Sequence, residues 1–101
     1  MSRRLELHSQ LISIEGLAAA YYNPPENVKM TYPCIRYSMT GERAMFASNG
    51  RYVARDRYSI LVIDRDPDSA IAESLKELPY CIPERVYAAD GLFHFSFTLF
   101  Y

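Results

Sequence analysis

Arg57-Tyr58-Ser59-Ile60-Leu61-Val62-Ile63-Asp64 is the stretch on which the fold turns. Ile60 to Ile63 is an unbroken apolar run rich in β-branched side chains, which predicts a central strand buried on both faces. Arg65-Asp66-Pro67-Asp68 then reads as a strand-to-helix turn. Asp66 suits the N-cap, Pro67 the first helical position, and Asp68 the positive end of the helix dipole. Ile71, Leu75 and Leu78 follow at helical spacing and stop at Pro79, predicting a helix on the C-terminal side of the strand.

Outward from that unit, a short strand is expected over Arg85 to Ala88, an Asp90-Gly91 hairpin turn, and a long strand from Leu92 to Tyr101. In the last, Phe93, Phe95, Phe97, Leu99 and Tyr101 share one face. On the N-terminal side, Leu7, Leu11, Ile14, Ala18 and Tyr21 fall on one face of an amphipathic helix that Asn23-Pro24-Pro25 ends. A stiff connection leads to Tyr32-Pro33 and a strand from Cys34 to Met39. Thr40 to Asp56 reads as a long hairpin or excursion with its tip at Asn49-Gly50. The order α-β-β-(β)-α-β-β predicts an α/β chain of the α+β kind. Its sheet is mixed and mostly antiparallel, with two helices packed on it, as one domain over residues 1–101.

Composition bounds the function. The chain has 101 residues, 50% hydrophobic and 23% charged, which is a globular balance and excludes general disorder. A net charge of -1 lacks the basic excess of a protein that binds nucleic acid by neutralising phosphates. No apolar run approaches the ~20 residues needed to cross a bilayer, so no membrane partner is expected. The first residues lack a signal-peptide core, and Cys34 and Cys81 are expected to be reduced thiols of a chain made in the cytoplasm. Nine Tyr and no Trp favour half-buried positions and subunit interfaces.

Little in the sequence points to chemistry. Asp64, Asp66 and Asp68 have the alternate spacing of a calcium loop. Ser69 stands where the turn glycine belongs and Leu75 where a bidentate acid belongs, so no metal is expected. His8 and His94 have no ligand-type companions nearby, and no phosphate loop, dinucleotide fingerprint or nucleophile elbow occurs. No catalytic residue and no cofactor are expected. Met45, Phe46, Tyr52 and Val53 are instead apolar residues inside a polar excursion. They either fold back on the domain as a satellite cluster or form a contact for another subunit. On the second reading Met45, Phe46, Arg51 and Tyr52, with Arg43 and Arg55, are the candidate contact residues.

Three groups of residues carry a resemblance. They are Pro24-Pro25-Glu26-Asn27-Val28-Lys29-Met30 with Tyr32-Pro33-Cys34-Ile35 and Tyr37-Ser38; Tyr58 through Ser69; and Leu78-Pro79 with the closing Phe97-Thr98-Leu99-Phe100-Tyr101. Together they resemble the tail terminator, or tail-completion, proteins of long-tailed bacteriophages with non-contractile tails, from about Tyr22 to Tyr101. The resemblance implies a homo-oligomer, a hexameric ring at the head–tail junction that caps the tail tube, ends its polymerisation and joins tail to head. It implies the major tail tube protein and a head-closure protein as partners, DNA passing through the lumen without specific binding, and a place in the virion neck. Within the same class, a head-closure or adaptor protein on the portal side is the alternative. A small hydrolase using Cys34 or Cys81 with a histidine, and a monomeric ligand- or peptide-binding module, are alternatives of other classes.

Overall fold

Ile60 to Ile63 lie in the middle strand of a five-stranded sheet. The computed structural model describes residues 3–23, 31–48 and 51–101, with the side chains at 3, 42–44, 46–48 and 51–53 outside that description. The elements are α1 (Arg3–Ile12), β1 (Ala19–Tyr22), β2 (Cys34–Ser48), β3 (Arg51–Asp64), α2 (Ala70–Lys76), β4 (Cys81–Ala89) and β5 (Leu92–Phe100). In space the strands run β1-β2-β3-β5-β4, with β1 parallel to β2 and every other pair antiparallel. This is a mixed, mostly antiparallel sheet with two helices, an α+β fold in the expected element order.

The period of two along each strand sorts the side chains between the faces. Ile35 opposes Val62, which opposes Phe95; Tyr37 opposes Ile60, which opposes Phe97; Tyr58 opposes Leu99. All of these are buried, in one cluster with Leu7 and Leu11 of α1 and Ile71, Ala72 and Leu75 of α2. Both helices therefore cover the same face, and the molecule has two layers. Full burial of a leucine such as Leu7 or Leu11 supplies about 2 kcal/mol. The opposite face of the sheet is uneven. Cys34 and Ile63 are buried there, whereas Ser59 is exposed.

Three local readings differ from expectation. The first helix ends at Ile12, and Gly16 at φ +91° turns the chain. L-residues adopt that conformation only at a cost, and it lets Ala19–Tyr22 run alongside Cys34–Tyr37 as a strand. Ala18 and Tyr21 thus continue the helical spacing without belonging to the helix. At the second helix the N-cap is Ser69 rather than Asp66: its Oγ accepts from the Ala72 N–H at 3.2 Å, and Ser69 is itself buried. Asp66 and Pro67 precede the helix in the turn. The strand expected over Arg85 to Ala88 begins earlier, at Cys81, with a register shift between Pro83 and Arg85.

The excursion from Thr40 to Asp56 is a hairpin built from the distal halves of β2 and β3. Their pairing runs out to Ser48 opposite Arg51, on either side of Asn49 and Gly50, which lie outside the described residues. The β3–β5 ladder stops at Arg57 opposite Phe100, and Asp56 and Tyr101 exchange two backbone hydrogen bonds, at 3.1 and 2.9 Å, just beyond it. Past that point the strand pairing of Arg43–Ser48 and Arg51–Asp56 is, among the described residues, with each other alone. The result is a two-stranded arm roughly 20 Å long at ~3.3 Å per residue. The molecule accordingly measures 47 × 26 × 22 Å, with a radius of gyration of 14.0 Å. A compact chain of this length would have about 13 Å.

Candidate functional site

The arm leaves the sheet at a bulge. Thr40, Gly41 and Glu42 of β2 stand against Arg57 alone, between the pairs Met39–Tyr58 and Arg43–Asp56. Gly41 sits at φ +85°, and Thr40 Oγ1 donates to the Arg57 carbonyl at 3.2 Å. A bulge of this kind bends the strand and raises its twist, so the arm departs at an angle to the sheet.

The β2–β3 register places all six candidate contact residues on this one ribbon: Arg43 opposite Asp56, Ala44 opposite Arg55, Met45 opposite Ala54, Phe46 opposite Val53, Ala47 opposite Tyr52 and Ser48 opposite Arg51. The side chains of Arg43, Phe46, Arg51 and Tyr52 lie outside the described residues. Met45 is 61% exposed, a large apolar side chain held out in water. Arg55, another of the six, belongs to the arm root. It is half-buried, with its guanidinium 4.4 Å from the centre of the Tyr80 ring. There it lines a cavity of about 130 Å³ with Leu78, Pro79, Tyr80, Leu99 and Tyr101. A guanidinium over an aromatic face is a cation–π contact, so Arg55 ties the arm root to the segment after α2.

A second exposed feature was not expected from the sequence. β4 is the last strand of the sheet and is exposed at every residue from Ile82 to Ala88. Ile82 is 49% and Val86 64% exposed, both on this edge. Across the sheet's uncovered face the Tyr87 ring stacks on His94 at 4.8 Å and 6°, and Arg85 lies 4.8 Å above Tyr87. Farther along that face, Arg36, Ser38, Ser59 and Leu61 surround a shallow depression of about 190 Å³.

The residues considered for chemistry are placed apart. Cys34 and His94 both lie across β3 from each other at Ile63, one strand on either side of it. Two strand spacings of about 4.8 Å separate their backbones. Cys81 pairs with Leu99 and packs against the core on the helix side. Burial pushes the Cys34 thiol up to about 11 despite the nearby Arg36, and burial pushes Cys81 up to about 11 as well. A thiol in that range is protonated near neutral pH, the opposite of an activated nucleophile. The Asp64 and Asp66 carboxylates serve as turn acceptors: Asp64 Oδ1 accepts from the Asp66 N–H at 3.1 Å, and Asp66 Oδ1 from the Asp68 N–H at 2.9 Å.

Among the described residues, no helix is long and apolar enough to cross a membrane. Comparison of the chain with models of known protein families, with curated proteins and with solved structures finds no match.

Proposed function

We propose that this chain is the subunit of a ring at the head–tail junction of a long-tailed bacteriophage, where it caps the tail tube, ends its polymerisation and joins tail to head. The observation that carries the reading is the arm. An isolated two-stranded ribbon is marginally stable in water. One that reaches roughly 20 Å and holds an exposed Met45 partway along it, about 7–10 Å beyond the root at ~3.3 Å per residue, is built to be covered by something else. A chain of this size cannot enclose a DNA path by itself, so the task requires several copies in a closed ring. A net charge of -1 suits a lumen through which DNA slides without being held. The layer of the neck rests on the resemblance of Tyr32–Ser38, Tyr58–Ser69 and Phe97–Tyr101 to tail terminator proteins. The partners in this reading are the tail tube below and the head-closure protein above.

Negative-stain microscopy of a lysate from phage lacking the gene tests it. Overlong, unattached tails beside DNA-filled heads are the expected result. Tails of normal length beside emptied heads would move the protein to the head-closure layer. Intact infectious particles would overturn the structural role altogether.

A further inference from the structure

We propose that the arm of one copy seats on the β4 edge of the next, so that copies join head to tail. The inference rests on the ring reading above and names its two mating surfaces.

β4 offers the more complete template of the two. Its first half is guarded in the way edge strands commonly are, by Pro83, by the register shift that follows it, and by Glu84 and Arg85. Its second half, Val86-Tyr87-Ala88-Ala89, carries neither proline nor charge. It presents an open backbone edge under an exposed Val86. The arm strands Arg43–Ser48 and Arg51–Asp56 are each long enough to span those four residues.

Charge biases which surfaces meet. Residues 36–57 carry Arg36, Arg43, Arg51, Arg55 and Arg57 against Glu42 and Asp56, a net charge of +3. Residues 64–90, which hold α2 and β4, carry seven carboxylates against Arg65, Lys76 and Arg85, a net charge of -4. The arm strands themselves carry Arg43, Arg51 and Arg55 against Asp56, a net charge of +2, so an arm brought to an arm opposes like charges. β4 carries Glu84 against Arg85 and is neutral, and the carboxylate excess lies on the segments that flank α2 and at Asp90. An arm brought to the β4 end of the next copy meets those flanking carboxylates, which favours encounter. A β4 edge paired with itself is not opposed by charge, but it would close a two-fold pair rather than a ring. Two different surfaces on one chain give a heterologous contact, and such contacts close into rings when the rotation between copies allows.

The test uses two variants of the full chain, each checked for folding by circular dichroism. Arg43→Ser/Arg51→Ser weakens the arm, and Val86→Arg/Ala88→Arg blocks the edge. Sedimentation velocity and native mass spectrometry are expected to show wild type assembling. Each variant alone should stay monomeric to at least tenfold higher concentration. An equimolar mixture should give heterodimers and nothing larger, since it contains one intact arm and one intact edge. Raising salt from 50 to 500 mM should weaken wild-type assembly at least tenfold, because screening shortens the reach of the charges. If the arm variant still dimerises while the edge variant does not, β4 pairs with itself and the proposal falls. If both variants assemble as wild type does, the proposal falls and the ring reading survives. A wild-type chain that is monomeric at every concentration removes both.

Discussion

Tyr37 and Tyr58 lie on neighbouring strands with ring centres 6.4 Å apart, both buried, and their hydroxyls have opposite fates. The Tyr37 hydroxyl shares a hydrogen bond with His8 Nδ1 and another with the Arg4 side chain, clamping α1 onto the sheet. The Tyr58 hydroxyl is fully buried and has no hydrogen-bond partner among the described residues. Burial raises the pKa of both phenols; at Tyr58, Asp56 adds to the rise, while at Tyr37 Arg4 opposes it.

Tyr58→Phe is therefore expected to stabilise the fold by about 1 kcal/mol, because it removes an unsatisfied buried group at nearly constant shape. Tyr37→Phe is expected to destabilise it by about 1 kcal/mol, since it strips His8 of its partner. Thermal melts decide this. A change of that size moves the midpoint of a chain this long by about 4–8 °C, upward for one variant and downward for the other. Equal and opposite signs from the reverse pair would mean the roles are exchanged.

The two capping candidates separate as cleanly. Ser69→Ala should cost about 1 kcal/mol through loss of the bond to the Ala72 N–H, measured by denaturant titration. Asp66→Ala, which only opens an exposed turn, should stay within about 0.5 kcal/mol of wild type.

Alkaline pH is expected to unfold the protein in a defined window. Unfolded thiols release their protons near the ordinary value of 9.0, whereas the folded thiols of Cys34 and Cys81 hold theirs to about 11. The unfolded state thus binds fewer protons in that interval, and stability falls as pH rises. The contribution is fully present below pH 9 and lost between 9 and about 11, with Tyr37 and Tyr58 steepening the upper end. Denaturant midpoints taken from pH 8 to pH 11 give the slope. Cys81→Ala should make it shallower.

Phe46→Ser with Tyr52→Ser should leave the melting curve of the domain within a few degrees of wild type, because the arm lies beyond the β3–β5 ladder. Under the ring reading the same double variant abolishes head–tail joining. Normal phage yield would count against the arm as the contact.

Much of this was legible in the chain. Ile60 to Ile63, the Asp90-Gly91 turn and the alternation from Phe93 to Leu99 are local signals, and local sterics and burial set those elements. The hairpin around Asn49-Gly50 was legible for the same reason. β1 was hidden because Ala18 and Tyr21 continue the spacing of Leu7 and Leu11 by coincidence. Its four residues pair with a strand more than ten positions away, a contact that no local pattern announces. Ser69 and Asp66 are equally good caps in sequence, and only the burial of Ser69 against the core distinguishes them. Arg55 was read only as a contact candidate, and its packing on Tyr80 was hidden because the two residues are remote in the chain. The exposed β4 edge could not be read at all, since which strand ends a sheet depends on the order of all five.

The bulge at Thr40–Glu42 has an effect on how the chain can change over generations. Three residues there answer to one, so the alignment of the arm strands is settled separately from that of Cys34–Met39 on Tyr58–Ile63. Two residues added to or removed from each arm strand would keep every side chain on its own face and stop at the bulge, leaving the core ladder untouched. The arm is thus the part of this chain that can lengthen or shorten to suit a different partner, while the helices and the sheet they cover remain as they are.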